Sequence, residues 1–196
     1  VNVINFSGSG IETTFTQGED ACLEAVIRSL PSSEKTQLAV LGALPDIVQD
    51  QMMRLLEQLG LENVFVLPQV KFDDDVSIGA NTHFICVQPF LGASYEEMVR
   101  RGAQPICANF PFGADGTTRW LWAIAERFDV SKAKFDKVVA APKLRAEQAV
   151  AAVASDLRGK SVFFFPDSQL EIPLARFLAA ECGMELTAVS YTHLTL

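Results

Sequence analysis

Long apolar runs are missing from this 196-residue chain. No stretch approaches the roughly 20 apolar residues that a membrane helix requires, so no helical span is expected. Clustered basic charge is missing too: 16 Lys and Arg, dispersed along the chain, face 24 Asp and Glu, for a formal net charge of −8. Phosphate backbones are held by grouped Lys and Arg, so no nucleic-acid surface is expected. The chain starts at Val1 and shows no charged-then-apolar leader. That start reads as a piece cut from a longer protein.

Cysteines at metal spacing are lacking. Cys22, Cys86, Cys107 and Cys182 contain no C-x-x-C pair, so a buried, reduced thiol is expected at each and a metal site built from these four alone is not. A phosphate-binding signature is lacking as well. The stretch "GSGIETTFTQGED", Gly8–Asp20, lies between an apolar run and a helical pattern, where a dinucleotide fingerprint would sit. Its third glycine position is Thr13, Glu12 adds negative charge, and no Lys is present to meet a phosphate. Both the G-x-G-x-x-G and Walker readings fail.

What the chain does have is alternation of strand and helix patterns. Strands are expected at Val1–Phe6, Gln37–Gly42, Asn63–Pro68, His83–Gln88, Gln104–Asn109, Ser161–Pro166 (strongly buried) and from Glu185 to Val189. Capping boxes are expected at Thr16/Glu19 and Ser94/Glu97, with Asp46 and Gln49 capping the helix between them. Helices are expected over Gly116–Phe128 and about Lys143–Leu157, and from Pro173 to Cys182. Such alternation implies parallel sheets covered by helices, an α/β class. Strands Gln37–Gly42, Asn63–Pro68, His83–Gln88 and Gln104–Ala108 are expected in one sheet, and Ser161–Pro166 opens another.

Several residues invite a chemical reading. Asp73, Asp74 and Asp75 form an acidic run that suits a divalent cation, although a solvated loop is the commoner outcome. Trp120 and Trp122 offer flat rings, yet helix-borne Trp more often fills a core. The turns at Gly8–Asp20, "PFGADGTT" and "PDSQLE" follow strands, the place where open α/β sheets bind ligands. The residues alone leave ordinary turns equally open.

The stretches "NFSGSGIETTFTQGEDACL", "LGALPDIVQDQ", "PFGADGTTRWL" and "GKSVFFFPDSQLEIPLARFLAAECGM" together closely resemble the N-subunit family of light-independent (dark-operative) protochlorophyllide reductases. That family is related to nitrogenase component 1. The resemblance runs from Val1 to about Val189 and implies Rossmann-like parallel-sheet units covered by helices, three to a full subunit. On that pattern, 1–33 ends the first α/β unit, 34–115 is the second and 116–158 is a helical connector. The stretch 159–189 starts the third unit. Residues 190–196, within "VSYTHLTL", read as a non-native tail, which makes His193 a poor catalytic candidate.

The resemblance further implies part of an ATP-dependent oxidoreductase of (bacterio)chlorophyll biosynthesis. N and B subunits form a heterotetramer, and a separate ATP-binding, iron–sulfur electron-donor dimer feeds it. A [4Fe–4S] cluster at the N–B interface serves reduction of the ring D double bond of protochlorophyllide to chlorophyllide. The family's cluster cysteines are expected upstream of Val1, so no metal ligand is carried onto this segment, and the segment alone is expected to be inactive. The compartment implied is cytoplasm, or plastid stroma in a phototrophic eukaryote. Ser9, Gly10, Thr13, Thr14 and Phe15 are the expected wall of the cluster and substrate region, with helix capping the commoner task for Thr13 and Thr14. A cofactor-assembly scaffold or non-catalytic ligand-binding protein is the alternative that the same architecture permits.

Overall fold

The computed structural model describes residues 14–69, 76–164 and 170–189. The strand expected at Val1–Phe6, the Asp73–Asp75 run, most of "PDSQLE" and His193 lie outside the described residues. Contacts divide the chain into two units, Val1–Cys107 and Ala108–Leu196.

The first unit contains α1 (Phe15–Ser29), β1 (Gln37–Leu41), α2 (Asp46–Gln58), β2 (Val64–Leu67), β3 (Thr82–Cys86), α3 (Gly92–Arg100) and β4 (Gln104–Pro105). Its four strands are all parallel, in the order β2-β1-β3-β4. β1 is buried at all five positions, as its unbroken "QLAVL" requires of a central strand covered on both faces. Leu23 and Ile27 of α1, Met98 of α3, and Ala39, Leu41 and Phe84 share one cluster. α1 and α3 therefore cover the same face. The strand order runs outward from β1 in one direction and from β3 in the other, so right-handed crossovers put α2 on the opposite face from α3. Pro105, which cannot donate to a ladder, sits on the edge strand and ends it after two residues. The longer strand expected at Gln104–Asn109 is corrected accordingly.

Helix starts differ from those read in the sequence. α1 begins two residues early, with Thr14 as its cap. Gln17 NH donates to Thr14 Oγ1 at 3.3 Å and Thr14 NH to Gln17 Oε1 at 2.8 Å. The box is therefore Thr14/Gln17 and not Thr16/Glu19. α2 follows Pro45 with no side-chain cap, so Asp46 and Gln49 do not cap it.

The Ser94/Glu97 box is absent because α3 starts at Gly92 and both residues lie inside it. Its amides are met from α1 instead. Ala93 NH and Ser94 NH donate to the two carboxylate oxygens of Asp20, at 2.8 and 2.9 Å. Ser94 Oγ adds a 2.6 Å bond to the same carboxylate. Glu97 is instead clamped by Arg100 through two bonds of 2.5 and 2.7 Å. That hydrogen bonding holds the Glu97 carboxyl below its ordinary range against the opposing effect of burial.

The second unit contains α4 (Gly113–Arg127), α5 (Lys132–Leu157), β5 (Ser161–Phe164), α6 (Glu171–Ala180) and β6 (Glu185–Val189). β5 pairs in parallel with β6 in a sheet separate from the first. α4 and α5 each begin earlier than their sequence patterns suggest. Phe135 and Val139, in the early part of α5, are buried along with Trp120, Leu121 and Ile124 of α4. The strand "SVFF" is not strongly buried: Phe164 points inward, but Phe163 is 56% exposed. Trp120 is core, and Trp122 packs edge-on against Phe135 at 4.9 Å with Lys132 above it. Both rings are engaged in packing.

Asp20 is only 8% exposed, so its removal leaves two helix amides without their acceptor. Asp20→Ala should cost about 2 kcal/mol, and Ser94→Ala about half of that. Urea unfolding of the two variants against the parent chain measures this; equal midpoints would show that α3 is capped by other means.

Candidate functional site

Ligands of open parallel sheets sit beyond the carboxyl ends of the strands, where the strand order diverges. In the first unit that point lies between β1 and β3. Gly42 ends β1 with φ +124, and a Cβ there would come within 2.7 Å of Val87 Cγ2 and 2.8 Å of Gln88 Oε1. Ala43 NH donates to that same Gln88 oxygen at 3.2 Å. Glycine thus lets the two strand ends close together, and Gln88 fills the crevice between them.

α1 runs alongside α3 in the same direction. Asp20 meets the start of α3, while Arg101, just past its end, donates to the carbonyls of Arg28, Leu30 and Pro31. The amino end of α1 therefore lies at the carboxyl edge of the sheet. Phe15, its first residue, is 86% exposed. Ile47 and Val48, in the first turn of α2, are 69% and 45% exposed at that edge. Among the described residues this edge displays the large apolar side chains of Phe15, Ile47 and Val48.

Of the expected site residues, Ser9, Gly10 and Thr13 lie outside the described residues. Thr14 spends its hydroxyl on the α1 cap. Phe15 presents an open aromatic face.

The cysteines do not fit an iron–sulfur cluster, which is held by several converging thiolates. Burial first, and the nearby Asp20 charge second, push the Cys86 thiol up to about 12. Burial and then Glu181 raise the Cys182 thiol as well. Among the described residues no three His, Cys, Asp or Glu side chains converge. The expectation of a buried thiol at each position holds only for Cys182, since Cys22 and Cys86 are half-buried and Cys107 is exposed. The last two stand at or beyond strand ends, where packing from one side is missing.

In the second unit the "PFGADG" turn proves to be the start of α4, shaped around α6. Glu181 accepts from Ala114 NH at 2.7 Å and from Asp115 NH at 3.3 Å. Arg176 donates to Asp115 Oδ2 and to the Phe112 carbonyl, each at 3.0 Å. A Cβ on Gly113 would collide with Glu181 and Phe177, and one on Gly116 with the Arg176 guanidinium. The glycines of this motif are thereby accounted for by packing and, at Gly113, by a backbone φ of +74.

A cleft of about 560 Å³ in this unit is lined by Asp115, Lys143, Glu147, Ser155, Arg158 and Glu181, among others. Its acids are already engaged: Asp115 by Arg119 and Arg176, Glu147 by Lys143, Glu181 by the α4 amides. Asp20, Arg176 and Glu181 escaped the sequence reading because their partners lie 61 to 74 residues away. No short-range pattern marks them.

A family profile described as nitrogenase component 1 type oxidoreductase matches residues 1–195. The light-independent protochlorophyllide reductase subunit N of Roseobacter denitrificans is 55% identical over 189 residues, covering 96% of this chain and 44% of that protein. The subunit N of Rhodopseudomonas palustris strain TIE-1 is 49% identical over 196 residues, covering 99% and 46%. The chain thus spans about half the length of the curated relatives it matches. A solved structure of nitrogenase Cp1 at pH 5 superposes with a TM-score of 0.65 at 17% identity, covering 97% of this chain and 41% of the other. At that identity the likeness establishes the fold: parallel sheets covered by helices, as in nitrogenase component 1.

Gly116→Ala should drive a methyl into Arg176 and destabilise the second unit by roughly 1–3 kcal/mol. Arg176→Ala in the same background removes the colliding group, so the double variant should lose less than the sum of the two single ones. Thermal unfolding of the four proteins reads this coupling, and strict additivity would refute the contact.

Proposed function

This chain belongs to the nitrogenase component 1 type oxidoreductase family, and on that premise we propose that it is part of the N subunit of a light-independent protochlorophyllide reductase. The observation that carries the proposal is identity of 49–55% to curated N subunits along almost the whole chain. In this reading the full N subunit pairs with a B subunit in a heterotetramer. A separate ATP-hydrolysing iron–sulfur dimer supplies electrons, and the ring D double bond of protochlorophyllide is reduced to give chlorophyllide. The cluster ligands belong to other parts of the complex, because the described cysteines do not fit that role. No electron-transfer step is assigned to them.

What this segment contributes is a wall. Phe15 offers a rigid aromatic face at the carboxyl edge of the first sheet, supported beneath by the Thr14 cap. A flat, largely apolar macrocycle gains from stacking on such a face and from the exclusion of water there. Asp20 fixes the helix that carries Phe15, so the ring is held by a packed element and not by a free loop.

In the complete complex, Phe15→Ala should lower chlorophyllide formation about tenfold, equivalent to roughly 1.4 kcal/mol of lost contact, with assembly and cluster content unchanged. A normal rate would remove Phe15 from the substrate wall. On this chain alone, anaerobic iron–sulfur reconstitution should give no stoichiometric [4Fe–4S] absorbance, and a full cluster would overturn the assignment of its ligands elsewhere.

A further inference from the structure

The register at the edge of the first sheet leads toward two cysteines that the proposed function leaves unused. β3 and β4 pair in parallel through His83↔Gln104 and Phe84↔Pro105, and Ile106 NH donates to the Phe84 carbonyl at 2.7 Å. Two residues further along each chain are Cys86 and Cys107. Continued past Pro105, that register sets Cys107 opposite Cys86, and a side-chain period of two would turn both toward the face that bears Phe84. That face lies under α3, since the Phe84 ring packs edge-on at 5.0 Å against Tyr95 of that helix. Burial raises the Tyr95 phenol, and the charges of Cys107 and then Cys86 raise it further.

Neighbouring strands lie about 4.8 Å apart, inside the range of Cα separations that a disulfide spans. Parallel Cβ atoms at that spacing are about 1 Å too far apart for a relaxed bridge. The missing approach is available at Cys107, which is exposed and lies beyond the end of β4 in a stretch with no helix or strand until Gly113. We infer that Cys86 and Cys107 form a reversible dithiol–disulfide pair that ties the free end of β4 to β3. The inference is independent of the reading of function above.

The chemistry balances with a low-molecular-weight disulfide as oxidant. The Cys107 thiolate attacks one sulfur of that disulfide and expels one small thiolate. Cys86 then loses its proton to solvent and attacks Cys107 Sγ, expelling the second. The protein gains one S–S bond, and the oxidant becomes two thiols. Exposure makes Cys107 the entry point. A bridge that must pull its strands together is strained, and strained disulfides reduce readily. That suits a switch better than a structural staple.

The test is anaerobic incubation of the chain with glutathione disulfide, followed by denaturation, alkylation, intact mass and peptide mapping. Two of the four thiols should become unreactive without retained glutathione, in one cross-linked peptide containing Cys86 and Cys107, and dithiothreitol should restore both. Cys86→Ser should instead leave glutathione trapped on Cys107, and Cys107→Ser should leave its three remaining thiols reactive. A lasting mixed disulfide on Cys107 in the parent chain, a bridge to Cys22 or Cys182, or no reaction at all would overturn the pairing.

Discussion

The carboxylate of Asp20 holds the first unit in register. Side chains attach α1 to its neighbour: Asp20 at the start of α3, Arg101 at the far end, and Leu23 and Ile27 in the shared core between. A charged group buried this deeply is tolerated because two amides and a hydroxyl satisfy it. Its direction is also favourable, since the positive end of a helix dipole faces it. With α1 fixed at both ends, Phe15 acquires a defined position at the sheet edge.

The second unit solves the same problem in the same way. Glu181, just beyond α6, caps α4 across the unit, and Arg176 from α6 closes the other side of the turn. In both units an acid on one helix replaces the local cap that another helix lacks. The glycines of "PFGADG" are the visible trace of this arrangement, because a side chain at either position would occupy the space taken by Glu181 or Arg176. A motif that reads like a ligand turn is explained here by a helix seated on its neighbour.

Strands and helices were legible because their signals are local. The run "QLAVL" announces a central strand, and the apolar spacing of Met52, Leu56 and Leu59 announces the buried side of α2. Helix starts were legible only where the partner is near. A T-x-x-E match at Thr16 competed with the T-x-x-Q box at Thr14, and hydrogen bonding chose the latter. Ser94 matched a cap pattern but serves Asp20, a residue 74 positions away. Phe163 reads as core in "SVFFFP" because three aromatics in a row carry no alternation, so the sequence cannot say which one faces outward. Phe15 was singled out from its chemistry, and its exposure is what the fold adds.

The same caps explain why an α/β protein with glycine-bearing turns need not hold phosphate. Anion sites in such folds use helix amides left vacant at the carboxyl edge of a sheet. At the start of α3, which follows β3 at the divergence of strand order, Asp20 already occupies two of those amides. At α4 Glu181 does so, and at α1 the Thr14 hydroxyl takes the Gln17 amide. Gln88 fills the crevice itself. An incoming phosphate would have to displace a protein carboxylate from α3 or α4, exchanging one anion for another with no gain in charge pairing. The start of α2 has no side-chain cap, but its first turn carries the acidic Asp46 next to exposed Ile47 and Val48, and Phe15 stands exposed at the same edge. Its chemistry favours an aromatic ring system or another protein surface over a nucleotide.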